Sequence, residues 1–418
     1  MNTTIDVISL LVRCKTASHR LRQLSSEARS TLVKAISNAL VTHIEAILKA
    51  NEADLDAMPA NHPMRDRLLL TPQRIEAIAQ AIQTVATLPD PAGKILRTYR
   101  HPKGMLIQAE TVPLGVVGAI YEARPNVTAD IAALCLRSGN AVVLKGGSDA
   151  DRSNRAIVQV LGNVLEQHNL PREIITLLPT DRTYMKTLLQ AGTYVDVLIP
   201  RGSQALIDFV RREATVPVIE TGAGVCHTYV HKSANLEMAL QIVVNAKTQR
   251  PSVCNALDTI LVDEAVAPAF LPMLPAGFAP FGVEVFADSG AYGLLQQAGY
   301  KPLHHAQPAD FGREFLSLQC SIKLVKNLDE ALQHIETYSS KHSEAIVCSD
   351  AAIAERFLRE VDAAAVYHNA STRFTDGGEF GLGAELGIST QKLHARGPFA
   401  LEKLVCEKWI VRGDGQIR

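Results

Sequence analysis

Two α/β domains, each built on a parallel-rich sheet, are the fold this sequence predicts, with a small β element beside them. Three observations lead there. Two stretches, about 114–230 and 231–370, alternate short apolar strands with helix-length segments. Strands separated by helices run parallel and are covered by helices on both faces. At 418 residues the chain exceeds one ordinary core, which calls for two or three domains. Its 47% hydrophobic and 20% charged residues are normal for a globular protein with buried sheets.

The elements follow in order. Residues 1 to about 95 read as helical, because Ile5, Leu10, Leu11, Leu21, Leu24, Leu32, Ile36, Leu40, Ile44 and Leu48 fall at helical spacings between charged positions. A second helical stretch follows Pro72 through Ile75, Ile78 and Ile82. From Ile95 to Val112 short alternating stretches are broken by Pro102, Lys103 and Gly104, the pattern of a hairpin. The first alternating block predicts strands at Gly115–Tyr121, Ala141–Lys145, Ile174–Leu178, Val195–Ile199 and Val216–Glu220. Its predicted helices run over Thr128–Arg137, Asp151–His168, Thr183–Gln190 and Gln204–Glu213. The second block predicts a helix over Leu236–Asn245, strands at Thr259–Val262, Ser321–Val325 and Ala345–Cys348, and a helix over Asp329–Tyr338. Frequent proline and glycine between Pro268 and Gly312 read as loop-rich surface. The tail from Thr375 to Arg418 is glycine-rich, then mixed and apolar. His168 and His334, both in predicted helices, read as surface groups.

Composition narrows the function. A net charge of −1 gives no bulk field for nucleic acid or an anionic membrane. A small anionic substrate stays open, because local arginines bind one without changing net charge. The seven cysteines, Cys14, Cys135, Cys226, Cys254, Cys320, Cys348 and Cys406, are scattered and never form CxxC. That argues against disulfides or a zinc site and suits a reducing compartment. Adjacent pairs such as Cys226–His227 and His304–His305 point to opposite faces of a strand, so neither a Cys/His dyad nor a metal pair is expected there. The apolar stretch from Ile5 to Val12 is interrupted by Asp6 and Ser9 and lacks a basic leader, unlike a signal peptide. No run reaches the roughly 18 apolar residues of a membrane span. A cytoplasmic protein without metal is the expectation.

Four loops carry chemistry. Cys254 stands in QRPSVCN (249–255), a polar loop just before an apolar run, which is a plausible setting for an attacking thiol; buried structural cysteines more often lie within apolar runs. Lys145-Gly146-Gly147-Ser148 follows a strand, where ligands of parallel sheets bind and glycines admit a close approach. An exposed lysine on a glycine turn is its plain alternative. Gly202-Ser203 opens a helix, so Ser203 is either a simple N-cap or part of a pyrophosphate site. Glu122-Ala123-Arg124-Pro125-Asn126 offers an amide for an oxyanion and a guanidinium for phosphate or carboxylate, unless Asn126 or Thr128 merely caps the next helix. There is no GxGxxG fingerprint, so an ordinary Rossmann dinucleotide site is not predicted.

Together these loops resemble the aldehyde dehydrogenase superfamily, and more closely its gamma-glutamyl phosphate reductase branch. The resemblance is carried by VPLGVVGAIYEARPN (112–126), VVLKGGS (142–148), GVCHTYV (224–230), QRPSVCN (249–255), KHSEAI (341–346), FGLGAELGIS (380–389) and HARGP (394–398). It implies a cofactor-binding domain from 1–98 and 114–230, its N-terminal part helical, and a catalytic domain from 231–398. The hairpin 99–113 and tail 399–418 would form an oligomerisation element, in a homodimer or homotetramer.

By position, the resemblance makes Cys254 the nucleophile and Asn126 the oxyanion donor. Lys145 would meet the adenosine ribose, with Gly147 and Ser148 also binding the cofactor, Gly202 and Ser203 the pyrophosphate, and Glu314 and Phe315 the nicotinamide ribose. Ser148 stands where NAD-preferring members often carry glutamate. A carboxylate repels a 2′-phosphate and serine does not, so NADPH is the expected cofactor. Glu220 roughly matches the general base of hydrolytic members and is given little weight. The implied reaction is NADPH-dependent reduction of L-glutamyl 5-phosphate to glutamate 5-semialdehyde through a cysteine thioester, with phosphate released, in proline biosynthesis. Arg124 and Arg250 are candidates for the phosphate, and Ser389 and Arg396 for the amino-acid end. Association with glutamate 5-kinase is compatible with this. The rivals are a CoA-acylating or oxidising aldehyde dehydrogenase and a non-redox acyl-phosphate-binding protein.

Overall fold

The computed structural model describes residues 6–59, 62 and 65–418. Ile5, counted above among the helical positions, lies outside them. The chain forms two compact units. The first comprises Met1–Thr221, Leu382–Gly387 and Phe399–Arg418, and the second Gly222–Gly381 and Ile388–Pro398.

The first unit opens with helices α1 (Val7–Arg22), α2 (Ser26–Thr42), α3 (Ile44–Asp56), α4 (Arg65–Leu68) and α5 (Pro72–Thr87). Their starts follow capping rules: Asp6, Ser25 and Thr71 each accept an N–H from the residue three positions on, and Pro72 takes the first turn of α5. Strands β1 (Ile95–Arg100) and β2 (Leu106–Pro113) pair antiparallel as the predicted hairpin. A parallel sheet follows from β3 (Val116–Tyr121), β4 (Ala141–Lys145), β5 (Ile175–Leu177) and β6 (Val197–Arg201), in the order β5-β4-β3-β6. Strands β3 and β4 are buried along their whole length, which is why they read as continuous apolar runs. Helices α6 (Pro125–Arg137), α7 (Asp151–Gln167), α8 (Thr183–Leu189) and α9 (Gln204–Glu213) connect or follow them.

The second unit holds seven parallel strands: β7 (Cys226–Val230), β8 (Leu257–Asp263), β9 (Glu284–Ala287), β10 (Leu303–His305), β11 (Gln319–Val325), β12 (Ser343–Val347) and β13 (Ala365–His368). Their order is β10-β9-β11-β8-β7-β12-β13. One face packs against α10 (Leu236–Thr248), α11 (Ala267–Phe270), α12 (Leu274–Phe278) and α13 (Ser289–Gln297), with Val243, Phe270, Leu274 and Phe278 at its centre. The other packs against α14 (Leu328–Tyr338) and α15 (Ala351–Glu360), around Leu261, Ile335 and Phe357. Short strands β14 (Gly387–Ser389) and β15 (Gly397–Phe399) pair separately, and β16 (Val405–Arg412) adds to β2 in a three-stranded antiparallel sheet.

Four expectations need correction. Strand β7 belongs to the seven-stranded sheet, so the boundary between units falls after Thr221 and not at 230. Val216–Glu220 forms no strand; Val218 makes one isolated bridge to Leu198, beside Pro217, which has no N–H to give. The proline-rich stretch after Pro268 is not loop surface. Its prolines start successive short helical turns, where a missing N–H costs nothing, and Phe270, Leu271, Leu274 and Phe278 are fully buried. Finally, His334 is buried between Phe311, Tyr338 and His227, whereas His168 is exposed as expected.

Candidate active site

Cys254 lies in the loop between α10 and β8, and its neighbours fix that loop closely. Asn255 is buried; its side-chain amide donates to the carbonyls of Thr375 (2.8 Å) and Arg373 (3.3 Å), and its own carbonyl accepts the Thr372 hydroxyl (2.8 Å). On the other side, Gly224 lies against the Cys254 carbonyl. A Cβ there would stand 1.5 Å from that oxygen, so only glycine fits. The Cys226 thiol donates to the same carbonyl (3.3 Å). Cys254 itself is half-buried, while Cys226, Cys320 and Cys348 of the same unit are buried. Burial pushes the Cys226 thiol well above its ordinary range, which leaves it unreactive.

Beneath the loop lies an ionic base. The Lys247 ammonium is fully buried, 3.6 Å from Asp258 Oδ1. Asp258 accepts the backbone N–H of Phe315 (3.0 Å) and of Cys226 (3.5 Å). Burial pushes its carboxyl up to about 6, against the pull of Lys247. Glu314 accepts the Gly224 N–H (2.8 Å), and burial raises its carboxyl. Phe315 is buried and stacks on Phe286 with centroids 5.6 Å apart. The Glu314–Phe315 pair is thus anchored to the residues that frame the thiol.

The remaining second-unit candidates divide. Arg250 is exposed on the Cys254 loop. Ser389 is buried and accepts the Gln391 N–H (3.2 Å). Arg396 is committed to Asp362 (2.6 Å), which also takes Lys392 (2.7 Å) and Lys341 (3.5 Å). His304 and His305 stack on Phe286 and Tyr292, one on each.

In the first unit the predicted loops lie at the carboxyl ends of β3, β4 and β6, where parallel sheets bind ligands. The Lys145 ammonium donates to the Thr180 carbonyl (2.9 Å). Burial lowers its pKa, with Asp181 and Asp151 opposing. Ser148 is exposed at the start of a short 3-10 turn that leads into α7. Ser203 caps α9, as the plain reading proposed. Its N–H (2.8 Å) and hydroxyl (3.1 Å) also donate to the two oxygens of Glu122. A Cβ on Gly202 would meet that carboxylate at 2.6 Å.

Asn126 does not cap α6; it sits in the first turn and donates to Asp130 (3.1 Å). Burial lifts the Asp130 carboxyl to about 6. Thr128 bonds the Tyr121 hydroxyl and Asn154 (2.7 Å each). Arg124 is exposed beside them. Glu220 is half-buried, 3.5 Å from Arg211, and burial raises its carboxyl.

Sequence reasoning passed over Glu122, Lys247 and Arg373. Glu122 alone had a signal, an acid directly after a strand and inside a loop already singled out.

Comparison with known proteins adds identity to this geometry. Residues 2–284 match the model of the aldehyde dehydrogenase family. A gamma-glutamyl phosphate reductase from Pelodictyon phaeoclathratiforme is 52% identical over 98% of both chains. One from Bacteroides fragilis is 50% identical over 96% of this chain and 97% of its own. The crystal structure of the Thermotoga maritima gamma-glutamyl phosphate reductase superposes with a TM-score of 0.95 at 40% identity, covering 99% of this chain and 100% of that one. An acetylating aldehyde dehydrogenase from Geobacillus thermoglucosidasius shares the fold, with a TM-score of 0.69 at 16% identity.

Proposed function

This chain belongs to the aldehyde dehydrogenase family, in its gamma-glutamyl phosphate reductase branch, and from that premise we propose that it reduces L-glutamyl 5-phosphate to glutamate 5-semialdehyde with NADPH, releasing phosphate. The observation that carries the reading is Cys254. It is the half-buried thiol of a sheet whose other cysteines are buried, on a loop clamped through Asn255 and Gly224.

The Cys254 thiolate attacks the acyl carbon, and the carbon–oxygen bond to phosphate breaks to leave a thioester on the sulfur. The Asn126 amide and the Cys254 backbone N–H stabilise the oxyanion formed on the way. One such donor contributes about 3 kcal/mol. Bound NADPH supplies the hydride that reduces the thioester. The resulting thiohemiacetal releases the aldehyde as Cys254 departs. Exclusion of water protects the thioester from hydrolysis.

The cofactor's holding residues fit an anionic dinucleotide. The α9 N-terminus, with Ser203, already binds a carboxylate, that of Glu122. Lys145 has one carbonyl partner and ammonium donors to spare for ribose hydroxyls. Ser148 presents no carboxylate to a 2′-phosphate. Glu314 and Phe315 serve the nicotinamide ribose. The hairpin β1–β2 and strand β16 would join copies of the chain into a homo-oligomer, and docking on glutamate 5-kinase would pass on the reactive acyl phosphate.

The reverse reaction tests this. Oxidation of glutamate 5-semialdehyde by NADP should require inorganic phosphate, ignore CoA, and fall by about three orders of magnitude or more in Cys254→Ser. Activity with CoA alone, or full activity without the thiol, overturns the reading.

A further inference from the structure

We propose that Arg373, with Arg250, forms the seat that binds the phosphate group beside Cys254. This rests on the acyl-phosphate reading and names its phosphate subsite.

Arg373 lies in a short 3-10 turn, Thr372–Phe374, fixed to the thiol loop through Asn255. Its guanidinium donates from Nε to Gln249 (3.0 Å) and from Nη1 to Asn255 Oδ1. Gln249 precedes Arg250 and Asn255 follows Cys254, so this one side chain ties together both ends of the segment holding the other guanidinium and the thiol. A guanidinium has five N–H donors; Gln249 and Asn255 take two.

Arg313, Arg356 and Arg396 of the same unit each hold a carboxylate. Among the described residues no carboxylate forms an ion pair with Arg250 or Arg373. Burial lowers the Arg373 pKa and Arg250 lowers it further, while Cys254 and the carboxylate of Asp376, which forms no ion pair with it, raise it. Two like charges and a thiol therefore share one neighbourhood. A dianion between the guanidiniums would relieve their repulsion, and planar forks suit phosphate oxygens. Arg373 is the fixed member, held on two sides, and Arg250 is the exposed one.

The test uses the full-length enzyme with inorganic phosphate as the probe. In semialdehyde oxidation by NADP, Arg373→Gln should raise the phosphate KM about tenfold or more, leaving the KM values for semialdehyde and NADP within about twofold. Arg373→Lys should fall between. Saturable protection of Cys254 by phosphate against iodoacetamide should weaken in Arg373→Gln and in Arg250→Gln, and this second variant decides the matter if Arg373→Gln does not fold. An unchanged phosphate KM, an equal loss in all three KM values, or undiminished protection overturns the assignment of the arginines. A wild-type enzyme that needs no phosphate overturns the acyl-phosphate reading itself.

Discussion

The candidate loops of the two units are held in opposite ways. In the four-stranded unit, the candidate loops take their polar partners from neighbouring loops. Glu122 sits on the Ser203 turn, and the Thr180 carbonyl holds Lys145. In the seven-stranded unit, two polar pairs are sealed. Lys247 and Asp258, and His227 and Glu344, are all at most 3% exposed at the side chain. Under the proposed cofactor binding, the first arrangement would exchange self-made partners for ligand at small cost. The second fixes backbone beside Cys254 through Asp258, which accepts the N–H groups of Phe315 and Cys226 and is paired with buried Lys247. The difference suits the proposed roles: a cofactor site would have to release its occupant, whereas an attacking thiol would have to stay in register.

The largest effect should come from breaking the sealed base. Lys247→Met keeps the volume and leaves the Asp258 carboxylate buried without its countercharge. Stability should fall by about 3–5 kcal/mol, read from urea unfolding followed by circular dichroism. Lys247→Met with Asp258→Asn removes both charges and should recover at least half of that loss, since an asparagine oxygen still accepts the Phe315 N–H. A double variant no better than the single one would show that packing, not charge, is the source.

A smaller effect separates the units by pH. Burial depresses the His334 imidazole to about 3 and the His342 imidazole to about 4. Both remain neutral when folded, so the unfolded chain takes up more protons as pH falls below about 6.5. Their contribution is complete above that pH and is lost on acidification. Asp258, pushed up to about 6, acts oppositely and takes up a proton in the folded state first, which blunts the loss. His334→Phe replaces a ring whose Nε2 has no hydrogen-bond partner among the described residues with one of similar shape. It should be near-neutral at pH 8 and should weaken the acid destabilisation by about 2 kcal/mol between pH 6.5 and 5. An unaltered acid limb in a pH series of urea midpoints removes His334 from the explanation.

His334 also marks what the sequence hides. The parallel sheets, the hairpin and the loops after the strands were legible because alternation of apolar runs and helical spacing is a local signal. So was the polar loop that carries Cys254. A histidine in a helix is local too, but its burial depends on Phe311 and His227, which come from other elements. Glu122 finds Ser203 81 residues away, and Arg373 finds Asn255 118 residues away. Contacts at such separations leave no spacing to read. The prolines after Pro268 misled for another reason: the residue that breaks helices inside also begins them.

Glu122 gives the smallest effect and the sharpest test of the exchangeable side. Its carboxylate accepts the Ser203 N–H and hydroxyl at the start of α9, the position assigned to the pyrophosphate. A pyrophosphate seated there would compete with the carboxylate for the same helix N-terminus, so binding the cofactor would forfeit what Glu122 had gained there. An anion at such a site gains about 0.3–1 kcal/mol. Glu122→Gln removes the charge and keeps the side chain's shape, which lowers the cost of displacement. NADPH should then bind about two- to fivefold more tightly, measured by fluorescence titration without substrate. Weaker binding in Glu122→Gln would reverse the argument. The carboxylate would then be a holder of the turn that the cofactor relies on, and the first unit would be as locked as the second.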